Sequence, residues 1–266
     1  FVVQPSDKGQ EFLCITAERR DARWHFSSRT LPAGGACRGR WLAEFAEMEQ
    51  GAQNWLDQTA GHLAAPMVPD TPLRMAAYGS PLADLFNSVQ LEATGAQISV
   101  TSLANDPAGL PRTVRRRDIL NAYPYANTLV VKRVTGAVLR QAMERSAEYF
   151  ARNADGSLCV SDAFLKPKVE HYNYDYYAGV RYAFDCSRPV GSRVAELSIN
   201  GKNVADTDVF TVCLSSYRAS GTGGYECYVD CPVLKEIGTE MSDLLLDFFR
   251  EHGEPLPLVR GDYRVF

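Results

Sequence analysis

Histidine is scarce in this sequence: four residues in 266, at His25, His62, His171 and His252. A two-metal hydrolytic centre needs a dense set of ligands, and four scattered histidines do not easily build one. Gly61-His62 has the form of half a metallophosphatase Gly-His-x-His pair, but Ala64 stands where the second histidine would be. A basic excess is missing too. The 28 Lys+Arg face 32 Asp+Glu, for a net charge of −4, which argues against broad electrostatic capture of nucleic acid. No uninterrupted apolar run approaches the roughly 20 residues that cross a bilayer. No leader is visible either: Phe1 opens directly into a strand-like run with no basic segment before it, and the missing initiator Met makes a fragment the expectation. Internal repeats and low-complexity tracts are also lacking. No serine sits in a Gly-x-Ser-x-Gly elbow, and Ser102, Ser215 and Ser216 have no histidine close in sequence, which disfavours a serine hydrolase.

Cysteine is present, but in an awkward number. Seven cannot all pair within one chain. Cys14, Cys186 and Cys213 lie in strand-like runs, where cysteine behaves as a small buried hydrophobe. Cys227 and Cys231 are one residue too far apart for the usual zinc knuckle and have no second pair, so a metal site is not expected there. A disulfide and two free thiols both remain open for them.

The composition, 45% hydrophobic and 11% aromatic, is enough for a sizeable core. Residues 1–30 read as two short strands, Phe1-Val2-Val3-Gln4 and Glu11 to Thr16, joined by a Ser-Asp-Lys-Gly turn. A Gly/Pro/Ala-rich loop follows over 31–40. Trp41, Phe45, Met48, Ala52, Trp55 and Thr59 then form one helical stripe, with Gly51 a weak point. Pro66, Pro69 and Pro72 mark a stiff connection and a candidate hinge, dividing a linker (31–72) from a main domain (73–266).

The main domain mixes helices and strands, so the predicted class is α+β, layered sheets flanked by helices. A helix runs through Leu82, Leu85, Phe86, Val89 and Ala93 to a stop at Gly95. Gln97 to Ser102 and Thr128 to Val134 read as strands, and Thr135 as the N-cap of a helix through Phe150. Asp155-Gly156 is a turn, Val180 to Phe184 a half-buried strand, and Asn200-Gly201 the turn of a hairpin. Val209 to Leu214 is a further strand. A last helix is predicted through Val233, Leu234, Ile237, Met241, Leu244, Leu245, Phe248 and Phe249.

Three segments could carry chemistry. Ser215 to Tyr225 follows a buried strand directly and holds Gly221, Gly223 and Gly224, which let a backbone approach a ligand closely. No Gly-Lys-Ser/Thr follows, so it is not a triphosphate-binding loop. Tyr217 at the strand exit can present a ring to a nucleobase. In Tyr123-Pro124-Tyr125-Ala126-Asn127, the proline holds Tyr125 on a stiff turn, and the Asn127 amide suits a base edge. The run His171 to Tyr177 is either a second aromatic wall or an edge strand with alternate rings on the core. The cluster Arg112, Arg115, Arg116 and Arg117 reads as a solvated face.

Taken in order, several stretches resemble the C-terminal domain of the 5′-nucleotidase family, nearest the branch of 2′,3′-cyclic-nucleotide 2′-phosphodiesterase/3′-nucleotidases. They are Ala83 to Gln90, Asp118 to Leu129, Thr135 to Leu139, Gly179 to Tyr182 and Tyr217 to Tyr225. Phe1 to Pro5 resembles the closing strand of that family's N-terminal metallophosphatase domain, and the Trp41–Thr59 helix its linker. The resemblance implies a substrate-binding domain that clamps the nucleobase between Tyr125 and Tyr217. Asn127 matches a base-contacting position. Arg218, Ser220, Gly221, Gly223 and Gly224 form the accompanying loop, and Arg74 matches a substrate arginine. It also implies that two divalent metals belong to an N-terminal domain in cis, upstream of Phe1, so that this chain alone is inactive and holds no cofactor. The Gly-Gly-Ile-Arg element of the 5′-nucleotidase branch is replaced by Ser99-Val100-Thr101-Ser102, and an Asp of the loop by Gly223; both favour the cyclic-phosphodiesterase branch. Expected partners are a nucleoside or nucleotide and the metallophosphatase domain, with no nucleic acid and no membrane span. The implied location is secreted, periplasmic or cell-surface, though seven cysteines sit uneasily with an oxidising exterior. The alternatives are a non-catalytic nucleoside-binding or surface-interaction module and, more weakly, a free-standing hydrolase built on Ser or Cys.

Overall fold

A computed structural model describes residues 1–6, 9–34 and 39–266, with the Arg40 side chain excepted. The chain divides into two compact units, Phe1–Asn54 and Trp55–Phe266. The first holds an antiparallel hairpin of β1 (Glu11–Arg20) and β2 (Arg23–Pro32), paired from Glu11↔Pro32 to Arg20↔Arg23, and most of α1 (Gly39–Leu56). The hairpin corrects the sequence reading. Phe1 to Gln4 forms no strand, and the partner of the predicted Glu11–Thr16 strand is the following segment, reached through Asp21 and Ala22 at φ 49° and 60°. Two positive φ angles make the two-residue turn that matches strand twist, but neither residue is the Asn or Gly that announces it. Leu31 and Pro32, expected in a loop, end β2. Gly39 and Arg40, also expected in that loop, open α1; Gly35 to Arg38, and Asp7-Lys8 of the expected first turn, lie outside the described residues.

The second unit begins with β3 (Thr59–His62). In α2 (Pro72–Tyr78), Thr71 Oγ1 accepts from the Arg74 N–H and Pro72 fills the first turn, where a missing N–H costs nothing. α3 (Pro81–Thr94) stops at Gly95, left-handed at φ 70°. There follow β4 (Ile98–Ser102), β5 (Thr113–Arg115), α4 (Arg116–Ala122) and β6 (Leu129–Thr135). Thr135 caps α5 (Gly136–Ala147) by accepting from the Val138 N–H, as predicted. Next come β7 (Phe150–Arg152), β8 (Leu158–Val160), β9 (Asp175–Ala178), β10 (Arg181–Phe184), β11 (Val194–Ile199) and β12 (Lys202–Asn203). The turn between β11 and β12 is the predicted Asn200-Gly201, at φ 50° and 76°. β13 (Val209–Ser215), the one-turn α6 (Ser216–Ala219), β14 (Val233–Ile237), α7 (Met241–Glu251) and β15 (Asp262–Val265) complete the chain.

A five-stranded sheet, ordered β14-β6-β13-β4-β9, is the frame of this unit, beside a four-stranded sheet ordered β12-β11-β10-β15. Only β13–β4 and β10–β15 run parallel. Helices and mixed sheets thus give the predicted α+β class. Leu85, Phe86, Ile98, Val134, Leu139, Met143, Val212 and Leu214 are buried between α3, α5 and the large sheet.

Several expectations need correction. Thr59, placed on the first helical stripe, opens β3, and Phe150, placed in the helix after Thr135, opens β7. Val233 to Ile237 is an edge strand paired with β6, not the start of the last helix; Gly238 separates it from α7, and the apolar stripe continued across that break by coincidence of spacing. In the His171–Tyr177 run, the edge strand starts only at Asp175, and Tyr176 and Tyr177 are both buried. The rings therefore do not alternate between core and solvent, because both faces of this edge are covered. Among the described residues no helix is long and apolar enough to cross a membrane.

Candidate functional site

The large sheet gathers distant segments at one edge. β4 and β13 are parallel neighbours, so both end on the same side: β4 at Ser102 and β13 at Ser215. β6 is antiparallel to β13, with Ser215 opposite Leu129, which brings the residues before β6 to that edge. β9 is antiparallel to β4, with Ser102 opposite Asp175, which brings the residues before β9 there as well. Crevices beyond the carboxyl ends of parallel strands are where sheets of this kind leave room for ligands. An open cavity of about 420 Å³ lies there, lined by Ser102, Tyr125, Asn127, Lys168, Tyr172 and Tyr217.

Each wall is fixed by a neighbour. The Tyr125 ring meets Tyr123 edge-on, with centroids 6.0 Å apart. Tyr123 is itself buried edge-on against Phe86 at 5.1 Å, and burial pushes its phenol up to about 12. Asn127 donates from Nδ2 to the Tyr123 hydroxyl (3.4 Å), and its main-chain carbonyl accepts from the Met241 N–H at the start of α7 (2.9 Å). On the opposite arm, Ser215 Oγ caps α6 by accepting from the Arg218 N–H. The arms are stitched together: Ser216 N–H donates to the Thr128 carbonyl (2.8 Å) and Thr128 N–H to Ser216 Oγ (3.2 Å). Burial and neighbouring phenols raise both Tyr125 and Tyr217 above the ordinary tyrosine range, so both rings are neutral at physiological pH.

Tyr217 is 37% exposed and the adjacent Arg218 only 2%. Arg218 donates from Nε and Nη2 to Asp175 Oδ1 (3.1 and 2.8 Å) and from Nη2 to the Tyr172 carbonyl (3.3 Å), and lies 4.0 Å from the centre of the Tyr225 ring. Desolvation raises the Asp175 carboxyl, and the Arg218 charge opposes that shift. Arg218 thus braces the cavity from behind and is not part of its lining. The loop glycines serve the same packing. At Gly223 (φ 83°) a side chain would collide with Asn173 Oδ1 and Arg218, and at Gly224 (φ 90°) with Arg145. Gly221 packs on Val229, and Ser220 Oγ donates to the Tyr217 carbonyl (2.7 Å). A second cation ties this loop down: the buried Lys132 ammonium donates to the carbonyls of Ala219 (2.9 Å), Tyr228 (2.6 Å) and Val229 (3.2 Å).

Of the residues singled out in the sequence, the structure brings Tyr125, Asn127 and Tyr217 together, and adds Tyr172 from the aromatic run. Arg218, Ser220, Gly221, Gly223 and Gly224 form the loop beside them. Arg74 does not line the cavity. It is exposed on α2, paired with Asp70 (2.7 Å) and lying over Tyr78. Lys168 had no sequence signal. Ser102, disfavoured in the sequence as a nucleophile and part of the stretch that replaces the Gly-Gly-Ile-Arg element, lines the cavity at the end of β4 beside the parallel β13. In the arginine cluster, Arg115 and Arg117 pair with Asp57 and Arg116 covers Trp55 at 4.7 Å. Cys227 and Cys231 are both free thiols. Among the described residues no three His, Cys, Asp or Glu side chains are grouped to hold a metal ion. These residues therefore do not fit a metal centre.

The sequence profile of the 5′-nucleotidase C-terminal domain matches residues 60–230. The chain belongs to that family. A 2′,3′-cyclic-nucleotide 2′-phosphodiesterase/3′-nucleotidase from Yersinia enterocolitica is 24% identical across 98% of this chain and 45% of its own length. The trifunctional nucleotide phosphoesterase YfkN from Bacillus subtilis is 27% identical over 60% of this chain and 12% of its own. A Staphylococcus aureus protein assigned as a 5′-nucleotidase, solved in complex with α-ketoglutarate, superposes with a TM-score of 0.84 at 32% identity. That match covers 99% of this chain and 52% of the other. The 5′-nucleotidase precursor of Thermus thermophilus, 17% identical at a TM-score of 0.66, shares the fold. This family member thus spans about half the length of its relatives or less.

Proposed function

We propose that this chain is the substrate-binding half of a nucleotide phosphohydrolase, and that it holds the nucleobase between Tyr125 and Tyr217. One observation carries the reading: two tyrosines from distant parts of the chain, with the Asn127 amide of Tyr125's own segment, line a single open cavity. Stacking on an aromatic ring is worth about 1–3 kcal/mol per base and tolerates any base, since every base has a π-face. Asn127 adds a donor and an acceptor for a base edge. Fixing the base fixes the far end of the nucleotide, so a catalytic centre elsewhere receives an oriented phosphate, and binding energy is converted into effective concentration. The reading places that centre and its two divalent ions on an N-terminal metallophosphatase domain in cis, and the whole protein in a secreted, periplasmic or cell-surface location. The similarity to cyclic-nucleotide phosphodiesterase/3′-nucleotidases supports a nucleotide monoester or cyclic diester as substrate.

Titration calorimetry with nucleosides tests the clamp. Tyr217→Ala is expected to weaken binding by roughly 10- to 100-fold. Equal affinity in the variant would remove the clamp. Phosphate release from a nucleotide by this chain with added divalent metal would overturn the division of labour.

A further inference from the structure

Lys168 is the one cation among the described residues that line the cavity. Its ammonium donates to the Tyr172 hydroxyl (2.9 Å), which in turn donates to Glu170 Oε1 (3.2 Å). The other oxygen of that carboxylate, Oε2, accepts from Asn173 Nδ2 (3.0 Å). Both oxygens of Glu170 are therefore engaged, and the Tyr172 proton is committed to one of them. Lys168 itself stands 4.0 Å from Glu170, and its side chain is 68% exposed, so an ammonium with three hydrogens spends one on Tyr172 and keeps others for a ligand. It lines the same cavity as the rings of Tyr125, Tyr172 and Tyr217. Lys168 thus brings a donor with hydrogens to spare to the cavity, with the nearby carboxylate already occupied.

We propose that Lys168 reads the edge of the bound base and selects bases that present a carbonyl oxygen there, such as hypoxanthine and uracil, over those that present an exocyclic amine, such as adenine and cytosine. This rests on the clamp reading above. A lysine has no acceptor: a carbonyl takes its hydrogen, whereas an amine turns its own hydrogens toward the charge and gains nothing. The same chemistry pairs lysine with the carbonyl edge of guanine in nucleic-acid recognition.

Matched nucleosides test this on the full chain, because inosine and adenosine, like uridine and cytidine, differ at that edge. Wild type is expected to favour inosine and uridine by roughly tenfold, as for one charged hydrogen bond at a solvated site. Lys168→Met is expected to erase the preference by weakening the carbonyl member of each pair alone, and Lys168→Arg to retain it. An unchanged ratio in Lys168→Met, with Tyr217→Ala still weakening binding, overturns the role of Lys168 and leaves the clamp standing. Insensitivity of every nucleoside to Tyr217→Ala removes the clamp, and this inference with it. Matching thermal unfolding of the variants excludes misfolding as the cause.

Discussion

The cavity and the core behind it use the same residue for opposite ends. Tyr149, Tyr174, Tyr177, Tyr182, Tyr225 and Tyr228 are among the largest fully buried side chains. Tyr125, Tyr172 and Tyr217 line the open cavity. Inside, most hydroxyls are tied: Tyr174 donates to the Ala76 carbonyl (3.0 Å), Tyr225 to that of Asn173 (3.0 Å), and Ser146 lies within hydrogen-bond distance of both Tyr177 and Tyr225. A buried phenol needs a partner, and fixing the hydroxyl also fixes the ring. At the cavity the rings are held from behind, leaving a face open. On the proposed reading, stability and recognition are divided here between neighbours in sequence, most sharply between Arg218 and Tyr217.

Four measurements can break or sharpen that division. The largest effect is expected from Arg218→Met. It strands the Asp175 carboxylate, whose Oδ2 already has no partner, and removing one member of a buried pair costs about 3–5 kcal/mol; denaturant unfolding reads the loss. Lys132→Met leaves three carbonyls without their shared donor, for an expected loss of about 2–3 kcal/mol. Alkali attacks the same interior. Burial pushes Tyr123 from 10.0 and Cys213 from 9.0 up to about 12. The folded state then keeps protons that the unfolded chain gives up. Stability is therefore full below about pH 9 and falls as pH rises toward 12, the sign set by greater proton uptake in the native state. Unfolding midpoints across that range check it. Tyr217→Ala comes last on this scale: within about 0.5 kcal/mol in unfolding, although it should dominate nucleoside binding. A large stability loss there would erase the contrast.

Much of this was legible in the sequence, for local reasons. Thr135 before an apolar stripe, Gly95 after one, and Asn200-Gly201 between alternating residues each state their geometry in a few positions. Tyr125 and Tyr217 could be singled out because each sits on a stiff or glycine-rich exit beside a buried strand. The failures depend on pairing across the fold. Val233 to Ile237 became a strand by lying beside β6, which no local periodicity records. The Asp21-Ala22 turn is imposed by the long register of its hairpin rather than by its residues. Ser102 and Lys168 belong to the cavity only because strand order brings their segments to one edge, and nothing local to Arg218 announces its buried pairing with Asp175.

The cavity is assembled from the tips of separate segments, while the sheet carries their bases. On the clamp reading, selectivity can therefore change one tip at a time, through an exchange at 168, 172 or 102, while the sheet that carries those tips stays as it is.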